Sequence, residues 1–149
     1  MKRTISILLV LVLVFAVMLT GCAPKQEPTE PEAPAPAEEP KAEPLKVGFV
    51  YIGSAKDGGY SQAHDEGRMY LEEQLGDKVE TMFKEGVPGS SECEKVMNDM
   101  IDQGCTVLFV TSFGHMDFVE KTAKEHPDVK FYHCSGNKSG PNFNNYFGA

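Results

Sequence analysis

Nearly continuous hydrophobic segments recur along the chain from residue 45 onward. Their lengths are typical of β-strands, and the lack of strict alternation between hydrophobic and polar positions is typical of strands buried on both faces. The pattern therefore predicts four strands, and a fifth segment of weaker hydrophobic character is a candidate for one more. The predicted strands cover residues 45–52, 78–83, 105–111 and 129–135, with 142–147 as the weaker candidate.

The segments between these strands carry hydrophobic residues at helical spacing. The clearest helix covers residues 90–103, with the i, i+3, i+4, i+7, i+8 pattern and with Ser91 and Glu94 as a capping box at its start. Two further helices are predicted over residues 61–75 and 116–125. The predicted hydrophobic faces are Ala63, Gly67, Tyr70, Leu71 and Leu75 in the 61–75 helix and Cys93, Val96, Met97, Met100 and Ile101 in the 90–103 helix.

The predicted elements follow one another as strand, helix, strand, helix, strand, helix, strand. This alternation is typical of an α/β protein with a Rossmann-like parallel sheet, right-handed crossovers and helices on both faces. In open sheets of this kind, ligands bind beyond the carboxyl ends of the strands. We therefore expect a binding site among the loops that leave those ends, which are residues 53–60, 84–90, 111–115 and 136–141.

The first residues of the chain predict a targeting signal. Lys2 and Arg3 precede an apolar run over residues 7–19, and the sequence Leu-Thr-Gly-Cys ends at Cys22. Basic residues, a short apolar core and small residues before a cysteine resemble the lipobox of bacterial lipoproteins. The resemblance implies that residues 1–22 are a signal peptide cleaved before Cys22, and that Cys22 carries a lipid anchor on the extracytoplasmic face of the cell membrane. An ordinary signal peptide with an incidental cysteine is the alternative.

Composition separates a tether from the domain that follows it. Residues 23–44 contain only Pro, Ala, Glu, Lys, Gln and Thr, which predicts a disordered and solvated tether. Residues 45–149 are sufficient for one small domain. The formal net charge of -8, without a basic stripe, argues against nucleic acid as a partner.

Metal, cofactor and catalytic motifs are not evident in the sequence. The four histidines fall on different predicted elements, and Cys93, Cys105 and Cys134 lack metal-ligand spacing, so we expect these cysteines to be buried rather than paired. The glycine-rich segments match neither G-x-G-x-x-G nor a phosphate-binding P-loop. Ser112 and His115 share one loop without the G-x-S-x-G elbow. We therefore expect no metal, no cofactor and no enzymatic activity.

One predicted loop combines an aromatic ring with hydrogen-bonding groups. Asp57 and Tyr60 lie in the loop after the first strand, with two glycines before the ring that let the backbone approach a ligand, and Ser61 and Gln62 follow at the start of the first helix. Tyr60 offers a flat face for stacking, and Phe113 offers a second apolar surface after the third strand. The set predicts a site for a planar, polar small molecule. Tyr60 as a hydrophobic staple, Ser61 as a helix cap and Asp57 as a turn residue are the alternatives.

Three longer motifs are similar to one known family. They read KVGFVYIGSAKDGGYSQAHDEGR, VLFVTSFGHMD and HPDVKFYHCSGNK. Together they resemble the basic membrane lipoprotein (BMP) family, the substrate-binding proteins of ABC importers, some of which bind purine nucleosides. The resemblance covers nearly all of residues 45–149 and implies a type I periplasmic-binding-protein fold, in which two lobes close on a base stacked between aromatic rings. We expect this chain to hold the N-terminal lobe only, as a truncated or partial sequence, and so to bind weakly or not at all.

The resemblance also implies which positions contact the ligand. Asp57 matches the acidic residue of the first loop, Tyr60 the stacking aromatic residue and Ser61 the polar residue after it. Tyr60 replaces a tryptophan, Gln62 replaces an aromatic residue, and the Asp that many members have after the fourth strand is absent. These departures leave open whether the ligand is a nucleoside, a free base or another solute. The predicted ligand-binding residues are Asp57, Tyr60, Ser61, Gln62, Ser112, Phe113, Gly114, Ser135, Gly136 and Asn137.

The resemblance and the lipobox together predict a membrane-anchored receptor for an ABC importer. Its partners would be a small-molecule ligand, with a purine nucleoside or base favoured, and a membrane permease. The alternative is a sensory or signalling lipoprotein that binds a small molecule with the same fold but takes no part in transport.

Overall fold

The computed structural model describes residues 42–147 of the chain. The predicted signal peptide, Cys22 and nearly all of the predicted tether lie outside the described residues. Residues 42–147 belong to one compact unit, and residues 42–44 are exposed without regular structure. Among residues 42–147, no helix is long and apolar enough to cross a membrane.

Strands and helices alternate along the described chain as the hydrophobic pattern predicts. The four predicted strands and three helices are confirmed with only small shifts of their ends, and the weaker fifth segment is also a strand. Two 3-10 turns, Gly76–Lys78 and Phe113–His115, precede the second strand and the third helix. The elements are β1 Leu45–Val50, α1 Tyr60–Leu75, β2 Val79–Lys84, α2 Ser91–Asp102, β3 Val107–Val110, α3 Met116–Glu125, β4 Lys130–Cys134 and β5 Phe143–Tyr146.

The strands form one parallel sheet in the order β2-β1-β3-β4-β5. Val50 pairs with both Lys84 and Val110, and Val110 pairs with His133, so β1 to β4 end at a common edge. The chain leaves β1 toward β2 on one side and later returns to β3 on the other side. The predicted α/β fold is therefore confirmed, with the reversal of strand order between β1 and β3.

Helices cover the sheet from both faces. Val50 and Leu108 belong to the cluster buried under α2 and α3, whereas Phe49 and Tyr51 belong to the cluster on the α1 side, where Leu71 packs. Neighbouring residues of β1 thus point to opposite faces, as strand geometry requires. The three cysteines of the described chain are buried and free, as predicted, and they are Cys93, Cys105 and Cys134.

The inward face of α1 differs from the predicted hydrophobic face. Ser61 and Asp65 are its buried residues, and Arg68 continues this stripe at positions i, i+4 and i+7. The Tyr51 hydroxyl donates to Asp65 Oδ1 at 3.2 Å, and Arg68 Nε donates to the same oxygen at 2.7 Å. The prediction is wrong because paired polar groups occupy the inner side of the helix in place of apolar ones. Of the predicted face, Ala63, Gly67, Tyr70 and Leu75 are exposed, and Leu71 is half-buried.

Polar side chains fix two helix ends. Ser90 caps α2, since its Oγ accepts from the backbone N–H of Glu92 at 3.3 Å. The predicted capping box of Ser91 and Glu94 is therefore wrong: the cap is Ser90, and Glu94 accepts from Lys121 instead. The buried Asn142 stands before β5 and joins it to the end of α3. Its Nδ2 lies 2.9–3.0 Å from the carbonyl oxygens of Ala123, His126 and Val129.

Candidate functional site

The candidate site lies at the carboxyl edge of the sheet, where the loops after β1 and β3 flank the reversal of strand order. A crevice forms at such a point because the chains leaving the two strands turn to opposite faces. Here α1 lies on one face, and α2 and α3 lie on the other. The predicted site residues follow β1 (Asp57, Tyr60, Ser61 and Gln62), β3 (Ser112, Phe113 and Gly114) and β4 (Ser135, Gly136 and Asn137).

Asp57 closes the turn before α1. Its Oδ2 accepts from the backbone N–H of Ser61 at 2.9 Å, and its Oδ1 accepts from Gln62 at 3.1 Å and Gly59 at 2.8 Å. These hydrogen bonds, that of Ser61 first, lower the pKa of Asp57 to about 2. A charged carboxylate is favourable here because the N-terminus of a helix carries partial positive charge. The turn alternative accounts for the observed contacts of Asp57, and a ligand contact stays a prediction.

Ser61 and Gln62 direct polar groups into the same loop. Ser61 is fully buried, and its Oγ accepts from the backbone N–H of Gly53 at 3.1 Å. The helix cap at Ser61, which was the alternative to a ligand contact, is not observed, because Asp57 accepts from the amides at the helix start. Gln62 is half-buried, and its Oε1 accepts from the backbone N–H of Gly58 at 3.1 Å. Ser61 therefore presents no surface to a solute, whereas Gln62 remains partly accessible.

The loops after β1, β3 and β4 form the rim of the candidate site, and Tyr60 is the aromatic residue that the loop after β1 contributes to it. It is 42% exposed, so its ring lies outside the hydrophobic core. Its hydroxyl lies 3.2 Å from Oγ of Ser135, beyond the end of β4. The ring of His64 lies 4.6 Å from the Tyr60 ring between centroids. Burial of its hydroxyl end, together with Cys134, raises the pKa of Tyr60 to about 12, so the phenol is neutral near pH 7.

The loop after β3 contributes a second exposed ring. Phe113 is 59% exposed and begins a 3-10 turn capped by Ser112, whose Oγ accepts from the backbone N–H of Gly114 at 3.2 Å. Gly114 packs against the loop after β2, where a Cβ added to Gly89 would lie 2.7 Å from the Gly114 carbonyl oxygen. Ser112 and Gly114 thus shape the loop, and Phe113 presents its side chain to solvent.

The loop after β4 is held from both sides. Gly136 is buried so closely under His133 that an added Cβ would lie 1.9 Å from the imidazole ring. The backbone N–H of Asn137 donates to Met116 Sδ at 3.3 Å. Gly136 therefore has a structural function here, while the exposed Asn137 offers an amide side chain to solvent.

Two buried histidines form hydrogen bonds with backbone groups of the loops at this edge, and the sequence did not predict this function. His115 and His133 are fully buried, and Nε2 of each lies 2.8 Å from a backbone carbonyl oxygen, that of Val87 and Lys138 respectively. Burial lowers the pKa of His115, so its ring is neutral and Nε2–H donates to Val87. The sequence offers a signal for His133, because it lies between the hydrophobic residues Tyr132 and Cys134 of β4.

The exposed rings lie on an open rim. A cavity of about 520 Å³ beside α1 is lined by charged residues such as Glu85, and one of about 280 Å³ lies between α1 and the sheet, beside His64 and Tyr146. Neither lining includes Tyr60 or Phe113. Residues 42–147 contain no cluster of three or more His, Cys, Asp or Glu that could hold a metal ion. The exposed rings of Tyr60 and Phe113 can stack on a flat solute, and polar groups beside them can donate or accept hydrogen bonds.

Comparisons with known proteins identify the family of the chain and agree with its fold. Residues 45–148 match the family model described as ABC transporter substrate-binding protein PnrA-like. A purine-binding protein of Brucella abortus (strain 2308) is 46% identical over 104 residues, which are 70% of this chain and 30% of that protein. A Haloferax volcanii protein named as an ABC transporter glucose-binding protein is 33% identical over 108 residues, or 72% of this chain and 27% of that protein.

A solved structure shares the fold. The ABC transporter solute-binding protein from Conexibacter woesei superposes with a TM-score of 0.61 at 19% identity, covering 69% of this chain and 35% of that one. The chain spans only 30% and 27% of the lengths of the two curated relatives. Both relatives therefore contain further regions that have no counterpart among the matched residues.

Proposed function

This chain belongs to the PnrA-like family of ABC transporter substrate-binding proteins, and we propose that it forms one wall of a site for a purine nucleoside or nucleobase. The observation that carries the proposal is the half-exposed Tyr60 ring at the reversal of strand order, with its hydroxyl held by Ser135. The name of the Brucella relative, at 46% identity, supports a purine over a sugar.

Three exposed side chains of the rim do the binding in this proposal. The purine ring stacks on the accessible part of Tyr60, and Phe113 contacts the ligand from the loop after β3. The exposed amide of Asn137 hydrogen-bonds with the polar edge of the base or with the ribose. Asp57 and the buried Ser61 shape the loop that carries Tyr60, and a direct contact of Asp57 with the ligand stays a prediction.

One lobe leaves much of such a ligand exposed to water. An aromatic stacking pair contributes about 0.5–1.5 kcal/mol beyond its buried area. A micromolar dissociation constant corresponds to about 8 kcal/mol, and deep sites reach it by enclosing most of the ligand. We therefore propose that a second lobe completes the site in a protein of the length of the relatives, and that the chain by itself binds in the millimolar range.

We further propose that the receptor is anchored at Cys22 and serves an importer. The apolar run of residues 7–19 followed by Leu-Thr-Gly-Cys supports a lipid at Cys22, and residues 23–44 would hold the domain near a permease. A sensory lipoprotein with the same fold is the competing function. A permease gene and an ATPase gene beside this one would favour the importer, whereas a sensor kinase gene would favour signalling.

Ligand titration tests the proposed site. Adenosine, guanosine, adenine and guanine are titrated into the full chain by NMR, with glucose as the competing ligand class. The same ligands are titrated into a fusion in which residues 45–148 replace the matched segment of the Brucella relative, which supplies the rest of the site. A purine should bind the chain weakly and the fusion at least tenfold more tightly, because more of its surface is enclosed.

Matched variants locate the ligand on the rim. Tyr60→Ala should weaken purine binding to the fusion about tenfold, whereas Tyr70→Ala, on the exposed side of the same helix, should leave binding unchanged. A folded fusion that binds glucose and ignores every purine would refute the ligand class. Equal affinities of the Tyr60→Ala and Tyr70→Ala variants would refute the placement of the site.

A further inference from the structure

Ser135 adopts an unusual backbone conformation at the rim. Its φ is 66°, and among residues 42–147 it is the one non-glycine residue with positive φ. An L-residue pays a steric cost for this left-handed conformation, which glycine avoids. A serine at such a position indicates that its side chain does something that a glycine could not do.

Neighbouring groups hold Ser135 in that conformation. Its backbone N–H donates to the carbonyl oxygen of Tyr146 in β5 at 3.0 Å. The next residue, Gly136, lies buried under the ring of His133, and its carbonyl oxygen accepts from Asn145 Nδ2 at 3.0 Å. The turn after β4 is thus fixed from the edge strand and from the interior, independently of the Ser135 side chain.

The strained turn places the Ser135 hydroxyl between two partners. It donates to Cys134 Sγ at 3.6 Å, which leaves its oxygen free to accept from the Tyr60 hydroxyl at 3.2 Å. At the other end of the Tyr60 residue, its carbonyl oxygen lies 2.8 Å from Nδ1 of His64, and the two rings are 4.6 Å apart. The Tyr60 ring is therefore fixed at its tip by Ser135 and packed along its body by His64.

We propose that Ser135 is a positioning residue that holds the Tyr60 ring, before any ligand arrives, in the orientation on which a flat ligand stacks. This inference rests on the proposed function, and it changes the predicted role of Ser135 from a ligand contact to a support of the stacking ring. Without the hydrogen bond, the exposed part of the ring rotates about its side-chain torsions, and ligand binding has to order it. A ring fixed in advance avoids that cost.

Removal of the hydrogen bond should weaken binding without removing the stacking surface. The loss of one neutral hydrogen bond that orders a side chain corresponds to about three- to tenfold in affinity. Ser135→Ala and Tyr60→Phe should each weaken adenosine binding by this factor. The double variant should bind no more weakly than either single variant, because both changes remove the same interaction.

The test uses the full chain with ¹³C-labelled tyrosine. The Cζ resonance of Tyr60 reports its hydroxyl hydrogen bond without ligand, and adenosine titrations followed by NMR give the dissociation constants. Ser135→Ala should shift the Tyr60 Cζ resonance, and Tyr70→Phe, which removes an exposed hydroxyl from the same helix, should change neither the shift nor the affinity.

A glycine variant separates positioning from stability. Ser135→Gly removes both the hydroxyl and the steric strain, so it should unfold at no lower a temperature than Ser135→Ala and still bind adenosine three- to tenfold more weakly than the native chain. A purely structural Ser135 would instead give affinities that follow the melting temperatures. Native affinity in Ser135→Gly would overturn the positioning function.

The two proposals fail in different ways. If no purine binds the native chain or the fusion, the proposed function is wrong, and the Tyr60 Cζ shift still decides whether the hydrogen bond exists. An unchanged Cζ shift in Ser135→Ala overturns the positioning function even if adenosine binds. A shifted Cζ with native adenosine affinity also overturns it, because the hydrogen bond would then have no effect on the ligand.

Discussion

Replacement of Asp65 by alanine should destabilise the domain far more than the loss of a surface carboxylate. Asp65 lies on the inner side of α1, where its Oδ1 accepts from Tyr51 at 3.2 Å and from Arg68 at 2.7 Å. The side chains of Asp65 and Arg68 are each only 12% exposed. Burial raises the pKa of Tyr51 above its usual range, so its hydroxyl is a neutral donor that needs an acceptor. Asp65→Ala removes that acceptor and the buried counter-charge of Arg68 together.

The expected cost follows from the groups left behind. Removal of one partner of a buried ion pair costs about 3–5 kcal/mol, because the remaining charge is uncompensated. Arg68 keeps the half-exposed Glu72 at 3.2 Å and Thr81 at 3.0 Å, which places the cost near the lower end. With the unpaired Tyr51 hydroxyl included, we expect a loss of about 3–4 kcal/mol. Small domains are stable by about 5–15 kcal/mol, so the variant should fold with little reserve.

Urea denaturation followed by circular dichroism measures this loss. With an m-value of about 1.5 kcal/mol/M, a loss of about 3 kcal/mol moves the midpoint by about 2 M. Glu66→Ala is the matched control, because this exposed neighbour on the same helix should change the free energy of unfolding by no more than about 0.5 kcal/mol. Tyr51→Phe keeps the ion pair and should lose only about 1 kcal/mol.

Equal urea midpoints for Asp65→Ala and Glu66→Ala would show that Asp65 contributes no more to stability than a surface carboxylate. That result would mean that water reaches Arg68 and Tyr51 once the carboxylate is gone, so that neither is left unpaired. A loss confined to Asp65→Ala with none in Tyr51→Phe would assign the whole effect to the ion pair. Only the first outcome contradicts the buried polar stripe as the attachment of α1 to the sheet.

Two further changes test the loops of the rim. The pKa of Asp57 is lowered from its usual value of 3.8 to about 2, so its charge stabilises the fold above about pH 4, and this contribution is lost as the pH falls toward 2. Asp57→Asn keeps a capping oxygen but does not titrate. The difference in urea midpoint between the native chain and this variant should therefore shrink as the pH falls from about 4 toward 2. A constant difference would contradict the charged cap. Gly136→Ala should cost about 1–3 kcal/mol in thermal unfolding because its Cβ would overlap the buried His133 ring, whereas Gly67→Ala, with open space around it on α1, should not destabilise. An equal melting temperature for both glycine variants would show that the His133 ring moves aside.

The strands were predictable because most of them are buried on both faces. A long hydrophobic run such as 45–52 has few alternatives to a central strand, and β1 indeed lies between β2 and β3. The weaker segment 142–147 is β5, an edge strand, whose Asn144 and Asn145 are exposed. Polar residues at an edge dilute the hydrophobic signal, which explains why this strand was the least certain.

The inner face of α1 was not predictable from hydrophobicity. Asp65, Arg68 and Glu72 have the spacing of an exposed row of ion pairs on a helix, which is the common arrangement for such residues. The structure turns Asp65 and Arg68 of that row inward, because Tyr51, directly after β1, supplies a hydroxyl beneath Asp65. Since the partner comes from another element, helical periodicity by itself cannot distinguish the two orientations.

The edge of the sheet at which the candidate residues lie was predictable, whereas the contacts that these residues make were less so. Tyr60 lies on the rim at the expected edge, because topology decides where loops of a parallel sheet meet. The function of Asp57 as a cap depends on a turn that brings three amides to one carboxylate. The positive φ of Ser135 could not be predicted either, because a serine in the sequence does not indicate a left-handed conformation, whereas a glycine can.

The rim combines fixed loops with a few free side chains, and this division bears on how a ligand is recognised. Asp57 and His115 direct their hydrogen bonds to backbone groups of the loops that they support. Loops fixed in this way do not need to rearrange around a solute, so for the proposed site we expect enclosure to come from a rigid-body approach of other parts of a longer protein. Under the proposed function, we expect selectivity to depend on the exposed side chains of Tyr60, Phe113 and Asn137. Substitution of these side chains can change the ligand while the loops beneath them stay as they are.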